Sequence, residues 1–203
     1  MFFSFDGIDG TGKTTQIERF SEWLRQTGRE VVVCRDPGST KLGEAIRGIL
    51  LERHGMQISR MAEMLLYMAA RAQLVEELIK PALASAKTVV SDRFLLANVV
   101  YQGHAGGLDV DQLWETGAFI TRGIEPDLTF LLDMPAGAAQ RRIQRELDRM
   151  ELHGDDFRDR LRSGFLAEAA RRPEKIAVID ASRSIDEVQA QICTAAKAVL
   201  NRP

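Results

Sequence analysis

The chain has 203 residues, of which 45% are hydrophobic and 28% are charged, so it can bury one sizeable core. A formal net charge of −2 gives no support for bulk electrostatic binding to nucleic acid or to anionic lipid. The longest apolar runs are far too short to span a bilayer, so we expect neither a nucleic acid nor a membrane as partner.

The first predicted element is a strand that leads into a phosphate-binding loop. The apolar run Phe2–Phe5 predicts the strand, and Gly7–Thr14 fits G-x-x-x-x-G-K-[ST], the P-loop motif. A helical pattern follows over Lys13–Thr27, so the motif stands between a strand and a helix. Glycines let backbone N–H groups approach phosphates closely, and the helix N-terminus adds partial positive charge.

Two side chains of this loop have specific uses. Lys13 can reach the β- and γ-phosphates of a nucleotide, and the Thr14 hydroxyl can ligate Mg²⁺. We assign the binding of ATP and Mg²⁺ to the loop residues Gly7, Ile8, Asp9, Gly10, Thr11, Gly12, Lys13, Thr14 and Thr15. The alternative is a glycine-rich turn that binds nothing, which neither the motif nor its context favours.

Further strands and helices alternate along the chain. The remaining predicted strands are Val31–Cys34, Thr88–Val90, Leu128–Leu132 and Ile176–Ile179. The remaining predicted helices are Leu42–Glu52, Ala62–Ala84, Val110–Thr121 and Ser184–Leu200. This alternation predicts an α/β P-loop NTPase fold, with a five-stranded parallel sheet flanked by helices in one domain over residues 1–203.

Chemically unusual residues follow the ends of the early strands. They are the P-loop, then Arg35-Asp36-Pro37-Gly38, then Ser91-Asp92-Arg93. Ligands of doubly wound sheets bind beyond the carboxyl ends of the strands, so this clustering is a second argument for a nucleotide site.

Residues 141–162 are rich in charge, with seven arginines and six acidic residues. One interpretation is a solvated helical face held by ion pairs four residues apart. The other is a mobile arginine lid, at about residues 141–155, that closes over ATP. The segment lies between the fourth and fifth predicted strands, which places it on the ligand side of the sheet and favours the lid.

Cysteine and histidine usage indicates neither a disulfide framework nor a metal site. Cys34 and Cys193 are the only cysteines and form no C-x-x-C pair, which is typical of reduced thiols in a cytoplasmic protein. His54, His104 and His153 are scattered, without the spacing of metal ligands.

An ordered set of motifs resembles the thymidylate kinases over nearly the whole chain. The landmarks are Gly7–Thr15, Arg35–Thr40, Leu42-Gly43-Glu44, Tyr67 to Arg71, Asp92-Arg93-Phe94, Tyr101-Gln102-Gly103 and Asp148-Arg149. The resemblance implies transfer of the γ-phosphate of Mg·ATP to dTMP, giving dTDP and ADP, by a homodimer. The alternatives are a kinase for another nucleoside monophosphate or a deoxynucleoside, and a non-catalytic nucleotide switch.

The resemblance also implies a phosphate site for the acceptor. Arg93 resembles the arginine that grips the 5′-phosphate, and Arg35 and Arg47 resemble supporting contacts, with Pro37 in the same substrate site. Asp92 resembles a carboxylate near Mg²⁺ and its waters. For Arg35 and Arg47 taken singly, a surface ion pair is an equally good interpretation.

The sugar and base are assigned by the same resemblance. Asp9 resembles the carboxylate that recognises the 3′-hydroxyl of the deoxyribose, and Tyr101 the residue that stands where a 2′-hydroxyl would lie. Tyr67 and Arg71 share a helix face and resemble the pair that stacks on the base and bonds its carbonyl oxygen. The same pocket is extended by Asn98 and Gln102.

The catalytic arginine is assigned to the lid. Some family members carry an arginine in the P-loop just after the aspartate, but here that position is Gly10. The chain therefore resembles the class that supplies its arginine from the lid, with Arg149 as first choice and Arg145 as second. The predicted catalytic set is Lys13, Asp92, Arg93, Arg145 and Arg149.

The chain departs from the family pattern at four positions. Asp36 stands where the family often has Glu, Ser39 where it often has Gly, and Asp6 replaces a frequent Glu before the P-loop. Ala97 stands where a Ser is common, which removes a hydroxyl beside the nucleotide pocket and bears on base specificity.

Overall fold

Five parallel strands form the sheet of the computed structural model, which describes residues 1–52, 56–143 and 154–201. Their bounds are Phe2–Asp6 for β1, Val31–Arg35 for β2, Thr88–Asp92 for β3, Leu128–Asp133 for β4 and Ile176–Asp180 for β5. The predicted parallel α/β sheet is confirmed. Each strand runs one or two residues beyond the predicted apolar run and ends on a charged residue, which a search for apolar residues leaves out.

Helices cover both faces of this sheet. Their bounds are Lys13–Gln26 for α1, Lys41–Leu51 for α2, Arg60–Leu74 for α3, Lys80–Ala84 for α4, Leu95–Asn98 for α5, Val110–Ile120 for α6, Ala136–Arg141 for α7, Asp155–Arg171 for α8 and Ile185–Leu200 for α9. Two π-helical segments, Val75–Ile79 and Val99–His104, continue α3 into α4 and extend α5.

Three of these helices were not predicted. All four residues of α5 are buried, so the segment has no polar face and no helical periodicity to detect. Helix α7 has only six residues. Helix α8 begins inside the arginine-rich stretch, whose end from residue 155 is therefore helical.

The strand order β2-β3-β1-β4-β5 places β1 at the centre of the sheet. β1 is entirely buried, and Phe3 and Phe5 pack with Phe20 of α1 and Phe130 of β4 at ring distances of 4.9–5.7 Å. After β1, the next two strands in the chain, β2 and β3, lie on one side of it, and the last two, β4 and β5, lie on the other. The connections therefore diverge at β1 and open a crevice at its carboxyl end, where the P-loop begins.

Candidate active site

The P-loop backbone requires glycine at several positions. Gly10 and Gly12 have φ angles of 87° and 91°, in the left-handed region that glycine adopts at little cost. A Cβ at Gly10 would collide with the backbone carbonyl oxygen of Ala139 in α7. The position where some relatives carry an arginine thus has no space for a side chain here, so the structure supplies a physical reason for glycine at this point.

Lys13 is the first residue of α1 and is only 7% exposed. Its ammonium donates to the carbonyl oxygens of Gly7 and Ile8, at 3.1 and 3.0 Å, and lies 3.6 Å from the Asp9 carboxylate. Burial lowers the pKa of Lys13, and the nearby Arg93 guanidinium lowers it further. The amine is therefore held against the loop by the carbonyl groups of Gly7 and Ile8.

Arg93 connects the P-loop with Tyr101, one of the residues assigned to the acceptor nucleotide. It follows β3 in the left-handed region, at φ 68°, and its guanidinium donates to the Gly7 carbonyl at 3.0 Å and to Asp9 Oδ1 at 2.7 Å. It also contacts the Tyr101 hydroxyl at 3.3 Å and lies 5.2 Å from the centre of that ring. Tyr101 in turn donates to Asp9 Oδ2. The residues assigned to acceptor phosphate and sugar therefore meet in one cluster.

The charge of Asp9 follows from this cluster. Burial disfavours its carboxylate, but the Arg93 and Lys13 charges outweigh burial and hold the pKa of Asp9 below its ordinary value. Asp9 is thus a charged acceptor at neutral pH. Its bonds to Arg93 and Tyr101 show that Asp9 is not simply a loop carboxylate that points to water.

Asp6 lies beneath the cluster and behaves differently. It is fully buried, both carboxylate oxygens lack a hydrogen-bond partner, and the nearest Arg93 nitrogen is 4.0 Å away. Burial raises the pKa of Asp6 to about 7, although Arg93 and Lys13 oppose the shift.

This shift predicts a pH-dependent stability. Between pH 3.8 and about 7 the folded protein keeps a proton on Asp6 that the unfolded chain releases. The free energy of unfolding therefore falls as pH rises, by up to about 1.4 kcal/mol per pH unit from this group. We expect Asp6→Asn to flatten that slope, measured by urea unfolding at pH 4.5, 5.5 and 6.5. Parallel profiles for variant and wild type would contradict the assignment.

Arg35 and Arg47 make contacts on either side of the loop that joins β2 to α2. Arg35 makes two bonds to the Glu44 carboxylate, at 2.9 and 3.0 Å, and Arg47 donates to the Pro37 carbonyl at 3.0 Å. Ser39 occupies the left-handed region at φ 63°, and its hydroxyl accepts from the Arg35 backbone N–H. Both arginines line the cavity while holding its wall, so the two interpretations of each residue are not exclusive.

The predicted base pocket is built around a fully buried arginine. Arg71 is 1% exposed and donates through Nε to Asp36 at 2.6 Å and through Nη1 to Asn98 at 2.9 Å. Asn98 donates to Gln102 at 2.7 Å, and Tyr67 lies one turn before Arg71 on α3. Asp36, which is joined to Pro37 by a cis peptide bond, was given no role in the site by the sequence analysis. Here it is the ion-pair partner of Arg71.

One cavity of about 1020 Å³ joins these groups. It is lined by the predicted residues Asp9, Gly10, Thr11, Gly12, Lys13, Thr14, Thr15, Arg35, Pro37, Arg47, Tyr67, Arg71, Asp92, Arg93, Asn98, Tyr101 and Gln102. Gly7 and Ile8 are not lining residues, because both are buried and the Ile8 side chain is in the core. Ala97 also borders the cavity.

A second arm of the cavity was missed by sequence reasoning. It is lined by Arg142, Arg183, Ser184, Ile185 and Val188, which follow α7 and β5. The only signal in the sequence is the capping box at the start of α9, in which Ser184 and Glu187 bond to each other's backbone N–H groups. That pattern marks a helix start beyond a strand, and does not mark a ligand site.

The residues assigned to Mg²⁺ fit that ion in part. Thr14 lines the cavity, and the buried Asp92 Oδ1 has no hydrogen-bond partner, so an oxygen ligand is available to a cation or its waters. Within the described residues, no group of three His, Cys, Asp or Glu side chains could hold a metal alone. A magnesium ion here would therefore draw most of its ligands from phosphates and water.

The predicted catalytic arginines Arg145 and Arg149 lie outside the described residues. At the described end of the arginine-rich stretch, Arg162 makes a bidentate pair with Asp133 at 2.7 and 2.9 Å, and Arg142 donates to the Ala181 carbonyl. Arg162 therefore ties α8 to the end of β4, which is neither a lid contact nor an ion pair between residues four apart on one helix. In the described part of the chain, no helix is long and apolar enough to cross a membrane.

Comparisons with known proteins agree with this geometry. The family model "Thymidylate kinase" matches residues 5–192. A thymidylate kinase of Rhodopirellula baltica is 46% identical over 91% of this chain and 75% of its own, and one of Kosmotoga olearia is 43% identical over 95% and 93%. The crystal structure of thymidylate kinase from Ehrlichia chaffeensis, at 30% identity, has a TM-score of 0.78 over 97% of this chain and 98% of its own. The chain therefore belongs to the thymidylate kinase family.

Proposed function

We propose that this protein transfers the γ-phosphate of Mg·ATP to dTMP, giving dTDP and ADP. The observation that carries the proposal is one cavity that joins a P-loop to a second, arginine-lined pocket, which also contains the side chains assigned to the base. A nucleotide switch needs the first half only. Family membership supports the same activity and does not favour another acceptor.

The described residues divide the work of phosphoryl transfer, in which positioning and charge stabilisation dominate. The P-loop N–H groups and Lys13 bind the ATP phosphates, and Arg93 binds the acceptor phosphate. Asp9 holds the sugar, while Tyr67 and Arg71 hold the base. Arg93 and Lys13 both contact Asp9, so the two phosphates are brought to the same few ångströms of the loop.

Mg²⁺ belongs to the proposal as the ion held by Thr14 and, through water, by Asp92. When bound, it neutralises charge on the transferring phosphate. The protein's own contribution is to keep Asp92 at the end of β3, where its unpartnered oxygen is available.

Stabilisation of the remaining negative charge in the transition state is assigned to an arginine of the lid. Gly10 has no space for a side chain, so we propose that Arg149, or as second choice Arg145, completes the site when the lid closes.

We further propose that the enzyme acts in the cytoplasm, in line with its two free cysteines.

A panel of acceptors tests the activity. A coupled assay of ADP release with Mg·ATP should give the highest kcat/KM for dTMP, with little turnover of thymidine, because Arg93 requires a phosphate. Omission of Mg²⁺ should abolish turnover. Preferred phosphorylation of thymidine would favour a nucleoside kinase, and ADP release that needs no acceptor would favour a switch.

The Tyr101 assignment predicts the sugar preference. The Tyr101 ring stands beside Asp9, so its loss should open space for a 2′-hydroxyl. We expect Tyr101→Ala to narrow the kcat/KM ratio of dTMP to its ribose analogue by roughly tenfold. Tyr101→Phe keeps the ring and should keep the preference. If the kcat/KM ratio of Tyr101→Ala equals that of wild type, Tyr101 is not the residue that excludes a 2′-hydroxyl.

The proposed homodimer has a candidate surface on three helices that pack in sequence, α2 on α3 and α3 on α6. Leu42, Met61, Leu65 and Phe119 are exposed on them, Phe119 by 84%. We expect Leu65→Arg to convert a dimer into monomers in light scattering. The matched control is Val178→Arg, at a similarly exposed position on β5, which should leave the dimer intact. A dimer that survives Leu65→Arg would place the interface elsewhere.

A further inference from the structure

We propose that Glu63 is a positioning residue: it supplies the terminal acceptor of a buried hydrogen-bond chain and so holds in place the N–H groups that make the base pocket prefer a carbonyl group over an amino group. The inference rests on the proposed function, because it concerns how the same pocket distinguishes one pyrimidine from another. Glu63 belongs to none of the motifs that indicated the site.

The chain of hydrogen bonds runs between two helices. Arg71 Nη1 donates to Asn98 Oδ1 at 2.9 Å, Asn98 Nδ2 donates to Gln102 Oε1 at 2.7 Å, and Gln102 Nε2 donates to Glu63 Oε1 at 3.0 Å. All four residues are buried, with exposed fractions between 1% and 8%. A buried polar chain of this kind is costly unless every link is made, so its geometry is well defined.

Helical spacing explains how the four side chains meet. Glu63 and Arg71 lie two turns apart on the same face of α3, with Tyr67 between them. Asn98 and Gln102 lie one turn apart, where α5 passes into the π-helical segment Val99–His104. The two pairs face each other, so each end of the chain is anchored on α3 and both amides are on the neighbouring helix.

The chemistry of the two ends sets the direction of every bond between them. A guanidinium only donates and a carboxylate only accepts, whereas an amide does both. With Arg71 at one end and Glu63 at the other, each amide must turn its oxygen toward Arg71 and its nitrogen toward Glu63. If the Asn98 amide were reversed, its N–H groups would face those of Arg71. If the Gln102 amide were reversed, its oxygen would face the Glu63 carboxylate.

The fixed direction determines what the chain offers to a ligand. Asn98 uses one of its two amide N–H groups on Gln102, and Arg71 uses four of its five N–H groups, on Asp36, Met68, Asn98 and the Phe94 carbonyl. Both residues line the cavity and retain one N–H each. Donors of this kind match a carbonyl oxygen of thymine and oppose the amino group of cytosine.

Removal of Glu63 would release the chain at one end. The Gln102 amide nitrogen would lose its acceptor, so Gln102 and the Asn98 amide bonded to it would no longer be held at a fixed position, although Arg71 would still set the direction of the Asn98 amide. Arg71 itself would stay in place, because Asp36 and the Phe94 carbonyl hold it independently. The expected defect is therefore in binding and base preference, with the phosphate chemistry unchanged.

The experiment compares Glu63→Met with Glu63→Gln in steady-state kinetics with Mg·ATP and either dTMP or dCMP. We expect Glu63→Met to raise KM for dTMP roughly tenfold, to change kcat less than about threefold, and to narrow the dTMP preference roughly tenfold. Glu63→Gln keeps an acceptor oxygen at the same reach and should restore both quantities.

Three outcomes would overturn the inference. They are wild-type KM and preference in Glu63→Met, equal damage in Glu63→Gln, and a tenfold KM rise without any change in preference. If Glu63→Met fails to fold in thermal unfolding, Gln102→Met cuts the same chain at the next link and must narrow the preference as well. Wild-type enzyme that does not phosphorylate dTMP would instead overturn the proposed function itself.

Discussion

Lys13→Ala is expected to lower kcat by roughly 10²-fold or more, because it removes a preorganised positive charge from the phosphates at the transition state. The ammonium is held 3.0 to 3.1 Å from two carbonyls of the loop and cannot be replaced by water with the same geometry. Steady-state turnover of Mg·ATP with dTMP measures the loss.

Two checks accompany this variant. Circular dichroism should show an intact fold, since the substitution removes one buried amine at the start of α1 and leaves the hydrophobic core unchanged. Lys80→Ala, in an exposed pair with Glu76 on the far helix α4, should turn over as the wild type does. Near-normal turnover by a folded Lys13→Ala protein would remove the kinase assignment.

Arg93→Lys is expected to lower kcat/KM for dTMP by roughly 10²-fold, although the charge is retained. The guanidinium contacts Gly7, Asp9 and Tyr101 at once, at 3.0, 2.7 and 3.3 Å. In the proposed role it also offers a planar fork to the acceptor phosphate. An ammonium on a flexible stem cannot reproduce that set of directions. KM for ATP should change little, because the loss is on the acceptor side.

Arg122→Lys is the matched control for this substitution. Arg122 also lies in the left-handed region, at φ 53°, so the same exchange is made on similar backbone. Its guanidinium is 69% exposed and pairs with Glu76, away from the cavity. We expect wild-type kinetics for Arg122→Lys. An Arg93→Lys enzyme with unchanged kcat/KM for dTMP would show that a fork is not needed for the acceptor phosphate.

Most of the features that could be predicted from the sequence depend on residues that are close together in the chain. Strand, P-loop and helix are consecutive, so Gly7–Thr14 could be assigned from local spacing alone. The sheet followed from apolar runs, since buried parallel strands have few polar residues to obscure them. The helix at Leu95–Asn98 was not predicted, because it is buried on every side and so shows no helical alternation of polar and apolar residues.

Contacts between distant segments could be assigned only by resemblance. Asp9, Arg93 and Tyr101 are up to 92 residues apart, and nothing in their spacing brings them together. The pairs Asp36–Arg71 and Arg162–Asp133 were not predicted at all, because these charges could equally have faced water. Ion pairs of this kind depend on how helices pack on the sheet, which local periodicity does not specify.

The sequence by itself determined the phosphate chemistry, because a P-loop needs only a strand, glycines and a helix start in succession. The tertiary structure alone decided how the acceptor pocket is organised. Burial of Asp6 sets its pKa, and the packing of α3 against Asn98 and Gln102 turns Glu63 into the end of a directed hydrogen-bond chain. Both effects depend on the loss of water around a side chain, and water is excluded only when elements far apart in the chain close over it.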